Sequence, residues 1–592
     1  MFGAGGSTST AIKCMRIHCH KAPEKALSFT LLKAIKVQPP GWKKQALLQK
    51  TSKNLKSISS NLLKQLVDTA YRFSEQPSLN EGNFGPVNEI GAAVLLKHID
   101  GEIPEEFPEG AYIRNGPNPL NPTQTIADSI VGSTSYLYYE GHGMLHAVHF
   151  NKSSLGEWEI SYQKKYVASD TFQLEREKNE VTFLPAADGQ PYATLAAFVL
   201  NMLRFGKATK DTANTNIFEH AGRAFAVSEN HLPYEISINN LKTLGPYNIN
   251  GAWDQPFTSH PKKIHGSGEL VIMGTNIEKP HYVLGVISSD GERLLHKVDL
   301  QFDEGKFIHD IGVTRQYNII MDYPLKFGIL RTLLQKPFIE NDMNGKSRIG
   351  VMPRFGNAES IIWFNVENHC SYHLFNCFEE GNEVVVRGCR TIGSVIPSSR
   401  HRADKSKSYG RAFLQPDRDS NDFDPSIDGT LFSRPYEWRL SLKNGTTNEG
   451  YITSEKVAMD FPAINDKFIG VRNKYGYAQV VDSLASCKTG LFKYNMIAKL
   501  HFDVQDKENR ELILVEYHVL EEKHFCSGVQ FVAKENGIDE DDGWVVTYVH
   551  NEGTDTSQVY IIDAKRFSEE PVAKVTLTQR VPYGFHGNFF YK

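Results

Sequence analysis

The chain has 592 residues and a formal net charge of −4, so it gives no electrostatic reason to expect a nucleic-acid partner. No segment approaches about 18 consecutive apolar residues, so we expect no membrane-spanning helix. Seven cysteines, scattered and odd in number, favour a reducing compartment over a disulfide framework.

The first 57 residues are strongly basic. Residues 1–57 hold eleven Lys or Arg and one acid, Glu24, among Ser, Thr and Ala. This composition is typical of an organelle transit peptide, although it is rich in Lys rather than Arg. A basic disordered arm is the alternative interpretation.

Two segments predict amphipathic helices. In the first, apolar residues recur at intervals of three and four across Leu55–Phe73, and we place a helical segment at residues 58–85. The second is Leu195–Phe205, which is followed by Lys207 and Lys210. Such apolar stripes are usually ordinary core, but an apolar face with basic residues beside it also suits a membrane surface.

After Pro86 the chain turns to short β-type runs separated by Gly, Asn and Asp, such as ELVIMG, SIIWFNV and GWVVTYV. This pattern predicts an all-β domain over residues 86–592. Pro397–Gly429 is polar, charged and poor in aliphatic residues, and we interpret it as a surface insertion.

Four histidines lie in short motifs on or beside apolar, strand-like stretches. Their separations are 49, 64 and 213 residues, and they are His260, His309, His373 and His586. Neutral imidazole is the commonest metal ligand and suits iron and zinc alike. Ligands this far apart converge only if similar units surround an axis, which predicts a β-propeller with the ligands in its channel.

The motifs identify a family. Beside the four histidine motifs they are EIPEEFPEGAYIRNGPNP (102–119), EGHGMLHAV (140–148), TANTNIF (212–218), SENHLPYEI (228–236), MDFPAIN (459–465) and DDGWVVTYVHNE (541–552). From about Pro86 to Lys592 the chain resembles the carotenoid cleavage oxygenases, most of all the plant branch that contains the 9,10-cleaving and zaxinone-synthase-like enzymes. The resemblance implies a seven-bladed β-propeller with a helical cap over the active-site entrance. It also implies one Fe(II) per chain, held by the four histidines.

The resemblance also implies carboxylates behind the ligands, because a ligand histidine usually donates its second N–H to one. The family uses three glutamates. Glu229 matches the first, Asp460 stands at the second, and Gly528 stands where the third is expected. We therefore expect a backbone carbonyl or water to orient one ligand, His586.

The implied reaction inserts both atoms of O2 across one C=C bond of a carotenoid or apocarotenoid and gives two carbonyl products. Two alternatives are an ester isomerohydrolase on the same scaffold and a weakly active or non-catalytic propeller that binds apocarotenoids or other isoprenoids. A substrate soluble only in lipid predicts peripheral contact with membranes. The protein would work in plastids if residues 1–57 are a transit peptide, and in the cytosol if they are not.

Some other histidines need separate interpretation. His142 stands where the family usually has an acid, and we interpret it as structural. His265 follows His260 by five residues and could be mistaken for the ligand, but the HPK context favours His260.

Overall fold

The computed structural model describes residues 62–74, 82–342, 344–392, 432–489, 491–509 and 512–592. The predicted transit peptide and the predicted insertion at Pro397–Gly429 lie outside these ranges. The described residues from Gln65 to Lys592 belong to one compact unit.

The first described third of the chain combines three helices with ten strands. The helices are α1 (62–70), α2 (Asp170–Lys178) and α3 (Pro191–Phe205). The strands are β1 (Tyr71–Ser74), β2 (Ile90–Leu95), β3 (Ile99–Gly101), β4 (Gly110–Arg114), β5 (Pro117–Asn118), β6 (Ile126–Ser129), β7 (Gly132–Ser135), β8 (His142–Lys152), β9 (Trp158–Tyr166) and β10 (Asp188–Gly189). One sheet has the order β1-β6-β7-β10.

The predicted helix across Leu55–Phe73 is wrong at its end, because α1 stops at residue 70 and β1 follows. The wider prediction of a helical segment at 58–85 is wrong for β1 and for the 3₁₀ turn Gly82–Phe84. Tyr71 and Phe73 alternate with exposed neighbours as β1 pairs with β6, and both rings join an apolar cluster with Ala127. Pairing with a distant strand overrides the local helical period.

The middle of the chain forms three consecutive four-stranded sheets and a hairpin. The strands are β11 (Asn216–His220), β12 (Arg223–Val227), β13 (Tyr234–Ile236), β14 (Thr243–Pro246), β15 (Lys262–Lys263), β16 (Leu270–Thr275), β17 (Tyr282–Ile287), β18 (Leu294–Asp299), β19 (Gly312–Val313), β20 (Tyr317–Asp322), β21 (Leu325–Phe327), β22 (Ile339–Asn341), β23 (Ser347–Pro353) and β24 (Ile362–Val366). The sheets are β11-β12-β13-β14, β15-β16-β17-β18 and β19-β20-β23-β24, and β21 pairs with β22. A short helix, α4 (Ile329–Leu333), lies within that hairpin.

The last part of the chain forms three more sheets and supplies strand β37 to an earlier one. Its elements are β25 (Cys370–Glu380), β26 (Glu383–Thr391), β27 (Arg434–Ser441), β28 (Thr447–Tyr451), β29 (Met459–Ala463), β30 (Tyr475–Val481), α5 (Ser483–Thr489), β31 (Tyr494–Gln505), β32 (Ile513–Val519), β33 (His524–Ala533), β34 (Gly543–Asn551), β35 (Thr556–Asp563), β36 (Ala573–Thr576) and β37 (Gly587–Tyr591). The sheets are β25-β26-β27-β28, β29-β30-β31-β32 and β3-β36-β35-β34-β33. Strand β37 pairs with β4 in the sheet β2-β9-β8-β4-β37, so early and late segments share two sheets.

The core lies between neighbouring sheets, and β17 shows why its sequence is continuously apolar. Successive side chains of a strand point to opposite faces. Tyr282, Leu284 and Val286 join a cluster with the next two sheets. Val283 and Ile287 join a cluster with the preceding sheet. A strand covered on both faces reads as an unbroken hydrophobic run, as YVLGVI does.

The molecule is therefore mostly β, in agreement with the predicted class. Among the described helices, none is long and apolar enough to cross a bilayer.

Candidate metal centre

The structure brings together the four histidines predicted as ligands. Their ligand nitrogens all lie within 4.8 Å of one another, and the side chains are buried or nearly so. His260 and His309 come just before β15 and β19, His373 lies near the start of β25, and His586 immediately precedes β37. Each of these strands lies at the end of its sheet's order. Segments hundreds of residues apart therefore meet at one point.

The spacing of the nitrogens suits a metal ion. Nε2 of His260 lies 3.0 Å from Nε2 of His309, and Nε2 of His586 lies 3.1 Å from Nε2 of His373. With metal–nitrogen bonds of about 2.1 Å, two ligands at a right angle are about 3.0 Å apart and two at the tetrahedral angle about 3.4 Å. Both observed distances suit nitrogens that share one metal ion.

Burial favours the neutral form of two of the four imidazoles, those of His260 and His586. It lowers the pKa of His260 and of His586 well below the usual value, and the neighbouring histidines lower both further. Neutral imidazole has the free lone pair that a metal needs. The donor set therefore fits a divalent transition metal.

Two of the four rings carry a carboxylate partner, as predicted. Glu229 contacts Nδ1 of His309. Burial is the largest single effect and lowers the pKa of His309, but the charge and hydrogen bond of Glu229, together with the charges of Asp310 and Asp460, raise that pKa above its usual value. Oδ1 of Asp460 lies 2.7 Å from Nδ1 of His373. Its other oxygen accepts a hydrogen bond from Ser433 Oγ at 2.9 Å, so Asp460 reaches the ring despite its shorter side chain.

Gly528 occupies a position that has no room for a side chain. Its φ is +78°, and an added Cβ would lie 2.7 Å from Cγ of Arg114 and 2.9 Å from the Tyr112 hydroxyl. The carbonyl of Gly528 accepts the hydrogen bond of that hydroxyl. Within the described ranges, the one hydrogen-bond contact of the His586 ring is the Nε2 contact with His373. The expectation that a backbone carbonyl or water orients His586 stays a prediction.

This packing predicts a large cost for Gly528→Ala. The left-handed conformation costs about 1–2 kcal/mol for a residue with a Cβ, and overpacking adds about 1–3 kcal/mol. Gly156→Ala is the matched control, because Gly156 has φ +81° and open space around it. Urea unfolding should show Gly528→Ala less stable than the control by about 1–3 kcal/mol. Equal losses would contradict the packing argument.

His142 and His265 are not part of the four-histidine group. His142 is buried, its Nε2 lies 2.8 Å from Oε2 of Glu175, and burial lowers the pKa of His142 below its usual value. His265 is exposed, which agrees with the choice of His260.

Sequence reasoning missed Asp310 and Phe461. Oδ2 of Asp310 accepts the backbone N–H of Leu374 at 2.9 Å, and its carboxylate pairs with Lys262 at 2.9 Å, so it ties together three ligand segments. Its position directly after His309 was the available signal. The ring of Phe461 lies against two ligand rings, a contact that no sequence motif reveals.

Comparisons with known proteins identify the family of the chain. The family model described as retinal pigment epithelial membrane protein (RPE65) matches residues 84–591, so the chain belongs to this family of carotenoid oxygenases. The carotenoid 9,10(9',10')-cleavage dioxygenase 1 of Arabidopsis thaliana is 30% identical over 90% of this chain and 94% of its own length. A carotenoid cleavage oxygenase of Mycobacterium tuberculosis is 27% identical over 87% and 98%.

Solved structures share the fold. The lignostilbene dioxygenase of Pseudomonas brassicacearum superposes with a TM-score of 0.72 and 22% identity over 88% of this chain and 100% of that one. A cobalt-substituted apocarotenoid oxygenase of Synechocystis superposes with a TM-score of 0.67 and 19% identity over 88% and 98%. The family predicted from the motifs is confirmed.

Proposed function

We propose that the protein is an Fe(II)-dependent dioxygenase that cleaves a C=C bond of a carotenoid or apocarotenoid into two carbonyl products. The observation that carries the proposal is the buried group of four histidines, two of them backed by carboxylates. The names of the relatives support the same reaction and do not favour a merely ligand-binding propeller. Iron, one per chain, is proposed over zinc because zinc has no redox chemistry with which to activate O2.

The residues of the site have three different roles in the proposed reaction. When bound, iron supplies redox activation of O2, and both oxygen atoms pass to the two carbons of the cleaved bond. His260, His309, His373 and His586 would hold the ion through their ring nitrogens. Glu229 and Asp460 fix the tautomer and orientation of their rings. Aromatic side chains beside the ligands, including Phe307 at 6.2 Å from the His309 ring centroid, provide surroundings suited to an apolar polyene.

We also infer that seven of the sheets are blades around the metal. Shared apolar clusters support this arrangement, because they link the seven in a cycle. One cluster joins β4 and β8 to the sheet of β11, and the next joins that sheet to that of β16. The sequence of contacts continues through the sheets of β20, β25, β30 and β34 and returns to β4 and β8.

The proposed reaction is tested by oxygen labelling. Purified, iron-loaded protein would be incubated under ¹⁸O2 with a panel of carotenoids and apocarotenoids, and the products identified by mass immediately after reaction. We expect label in both carbonyl fragments. Ester hydrolysis without oxygen uptake would contradict the dioxygenase reaction, and no conversion of any polyene by iron-loaded protein would contradict catalysis.

We propose that helices α3 and α4 place the protein on a membrane surface. Large apolar side chains on or beside these helices are 44–71% exposed, namely Tyr192, Met202, Leu203, Leu330, Leu333 and Leu334. Gln335 donates a hydrogen bond to the Tyr192 hydroxyl at 2.9 Å, so the two helices form one patch. Exposed Lys336 lies at its edge. Apolar side chains with a basic border suit attachment to one leaflet, where carotenoids dissolve.

The membrane patch predicts a charge-sensitive binding variant. Replacing Leu203 and Leu334 with Glu should reduce sedimentation with anionic lipid vesicles while leaving iron content unchanged. Leu200, also on α3, is left unchanged in this variant because it packs against the apolar cluster around Val67 and Ala197. The control is Leu155→Glu, an 83% exposed leucine in the β8–β9 turn. Unchanged vesicle binding by the double variant would contradict the patch.

Plastid localisation is proposed from the basic composition of residues 1–57, and the 27% identical chloroplastic relative from Arabidopsis thaliana supports it. Fusing residues 1–57 to a fluorescent reporter tests it. Import into plastids is expected, and a cytosolic reporter would favour the basic arm.

A further inference from the structure

The four ligand rings differ in what orients them. His309 and His373 each have a carboxylate at Nδ1. Across the described ranges, no carboxylate contacts the ring of His260 or of His586. The backbone of His586 is fixed, because its N–H donates to Thr215 at 3.4 Å and its carbonyl accepts from Asn115 at 3.0 Å. These bonds leave rotation about the side-chain bonds of His586 unrestrained.

Phe461 is in place to restrain that rotation. Its ring centroid lies 4.9 Å from that of His586 and 4.9 Å from that of His373. The ring of Phe461 is also nearly parallel to that of Phe585, with centroids 6.4 Å apart and an interplanar angle of 7°. One aromatic ring therefore packs against a ligand that has a carboxylate and against one that lacks it.

The backbone of Phe461 is held in an uncommon conformation. Its φ is +54°, in the left-handed region that a bulky residue rarely adopts. The register of β29 against β30 shifts between Asp460 and Ala463, so Phe461 lies in a bulge. Its N–H donates to Oδ1 of Asp460 at 2.8 Å, the same oxygen that contacts Nδ1 of His373. Strained backbone persists where surrounding contacts fix it, and bulges re-aim side chains beside active sites.

We propose that Phe461 is a positioning residue that orients His586 by ring packing, in the role that a carboxylate has for His309 and His373. This inference rests on the metal site proposed above. The bulge that turns the ring of Phe461 onto His586 also places the Phe461 N–H on Asp460. One short segment thereby positions two of the four ligands.

The experiment compares two Phe→Leu variants in cobalt-loaded protein. Phe461→Leu keeps an apolar side chain but removes the ring from His586. Phe307→Leu is the matched control, because Phe307 stacks on His309, which already has Glu229. The visible spectrum of bound Co(II) reports the geometry of its ligands. The rate at which a chelator removes the Co(II) reports how firmly the protein holds the ion.

We expect Phe461→Leu to change the cobalt spectrum and to lose Co(II) about 10-fold faster or more, the lower end of what losing an orienting partner causes. Phe307→Leu should keep the cobalt spectrum of the wild type and lose Co(II) at a rate within about twofold of the wild-type rate, because Glu229 still orients His309. Phe461→Tyr, which keeps the ring, should behave like the wild type and shows whether a failure of Phe461→Leu is a folding defect. A wild-type spectrum and rate in Phe461→Leu, or equal changes in both Leu variants, would overturn the positioning role.

The same measurements separate this inference from the metal site itself. Wild type should bind Co(II), and His586→Ala should alter its spectrum. If wild type binds no cobalt, or His586→Ala leaves the spectrum unchanged, the proposed metal site is wrong and the role of Phe461 falls with it.

Discussion

Replacing His309 with alanine is expected to remove bound iron and abolish turnover. His309 contributes one of four nitrogens within 4.8 Å of one another, and its loss leaves Glu229 as a buried carboxylate without its partner. The loss of a ligand weakens metal binding, and the buried carboxylate left without its imidazole partner lowers the stability of the folded site. Iron content by elemental analysis and carbonyl product by mass spectrometry measure the two effects.

His265→Ala is the control for that variant. His265 is exposed and lies five residues after the ligand His260, so its removal should leave iron content and rate unchanged. Retained iron and normal turnover in His309→Ala would exclude His309 as a ligand. Loss of activity in His265→Ala would show that histidine removal alone does not identify the site.

Glu229→Gln should weaken iron binding or lower the rate by about 10- to 100-fold, the usual cost of losing such a partner. The substitution keeps the shape of the side chain but removes the charge that raises the pKa of His309. His309 then becomes a weaker base and its ring is less firmly oriented. Titration with Fe(II) under anaerobic conditions, followed by rate measurement at saturating metal, separates affinity from rate.

Asp460→Asn should have a comparable effect through His373, since Asp460 has its pKa lowered by His373 against the opposing effect of burial. Glu278→Gln, at an exposed glutamate, provides the control for losing one negative charge. Wild-type affinity and rate in Glu229→Gln would rule out its orienting role.

The group of four histidines could be predicted because each histidine lies in a motif beside a strand, and these motifs resemble those of a known family. The carboxylates Glu229 and Asp460 followed from the same motifs. Phe461 could not be found in this way, since its left-handed backbone depends on how β29 pairs with β30. Residue type alone favours an ordinary strand there.

The errors in the predicted secondary structure have similar causes. Tyr71 and Phe73 continue the period of α1 in the sequence, yet β6 captures them as a strand. Helix α4 was not predicted, because five residues are too few to show a helical period. Where pairing with a distant strand determines the local structure, the residue pattern of a short segment does not predict it.

The pairing of β37 with β4 has a consequence for assembly. Gly587 lies opposite Arg114, so His586 reaches the other three histidines only when strands from far-separated parts of the chain meet. Contacts of this kind form late, after locally connected sheets. A complete four-nitrogen site then exists only in the closed molecule, and an ion that binds there favours closure by mass action, by about 2.7 kcal/mol at a free concentration 100 times its Kd. Iron supply would thus influence how much of the newly made protein reaches and keeps its finished shape.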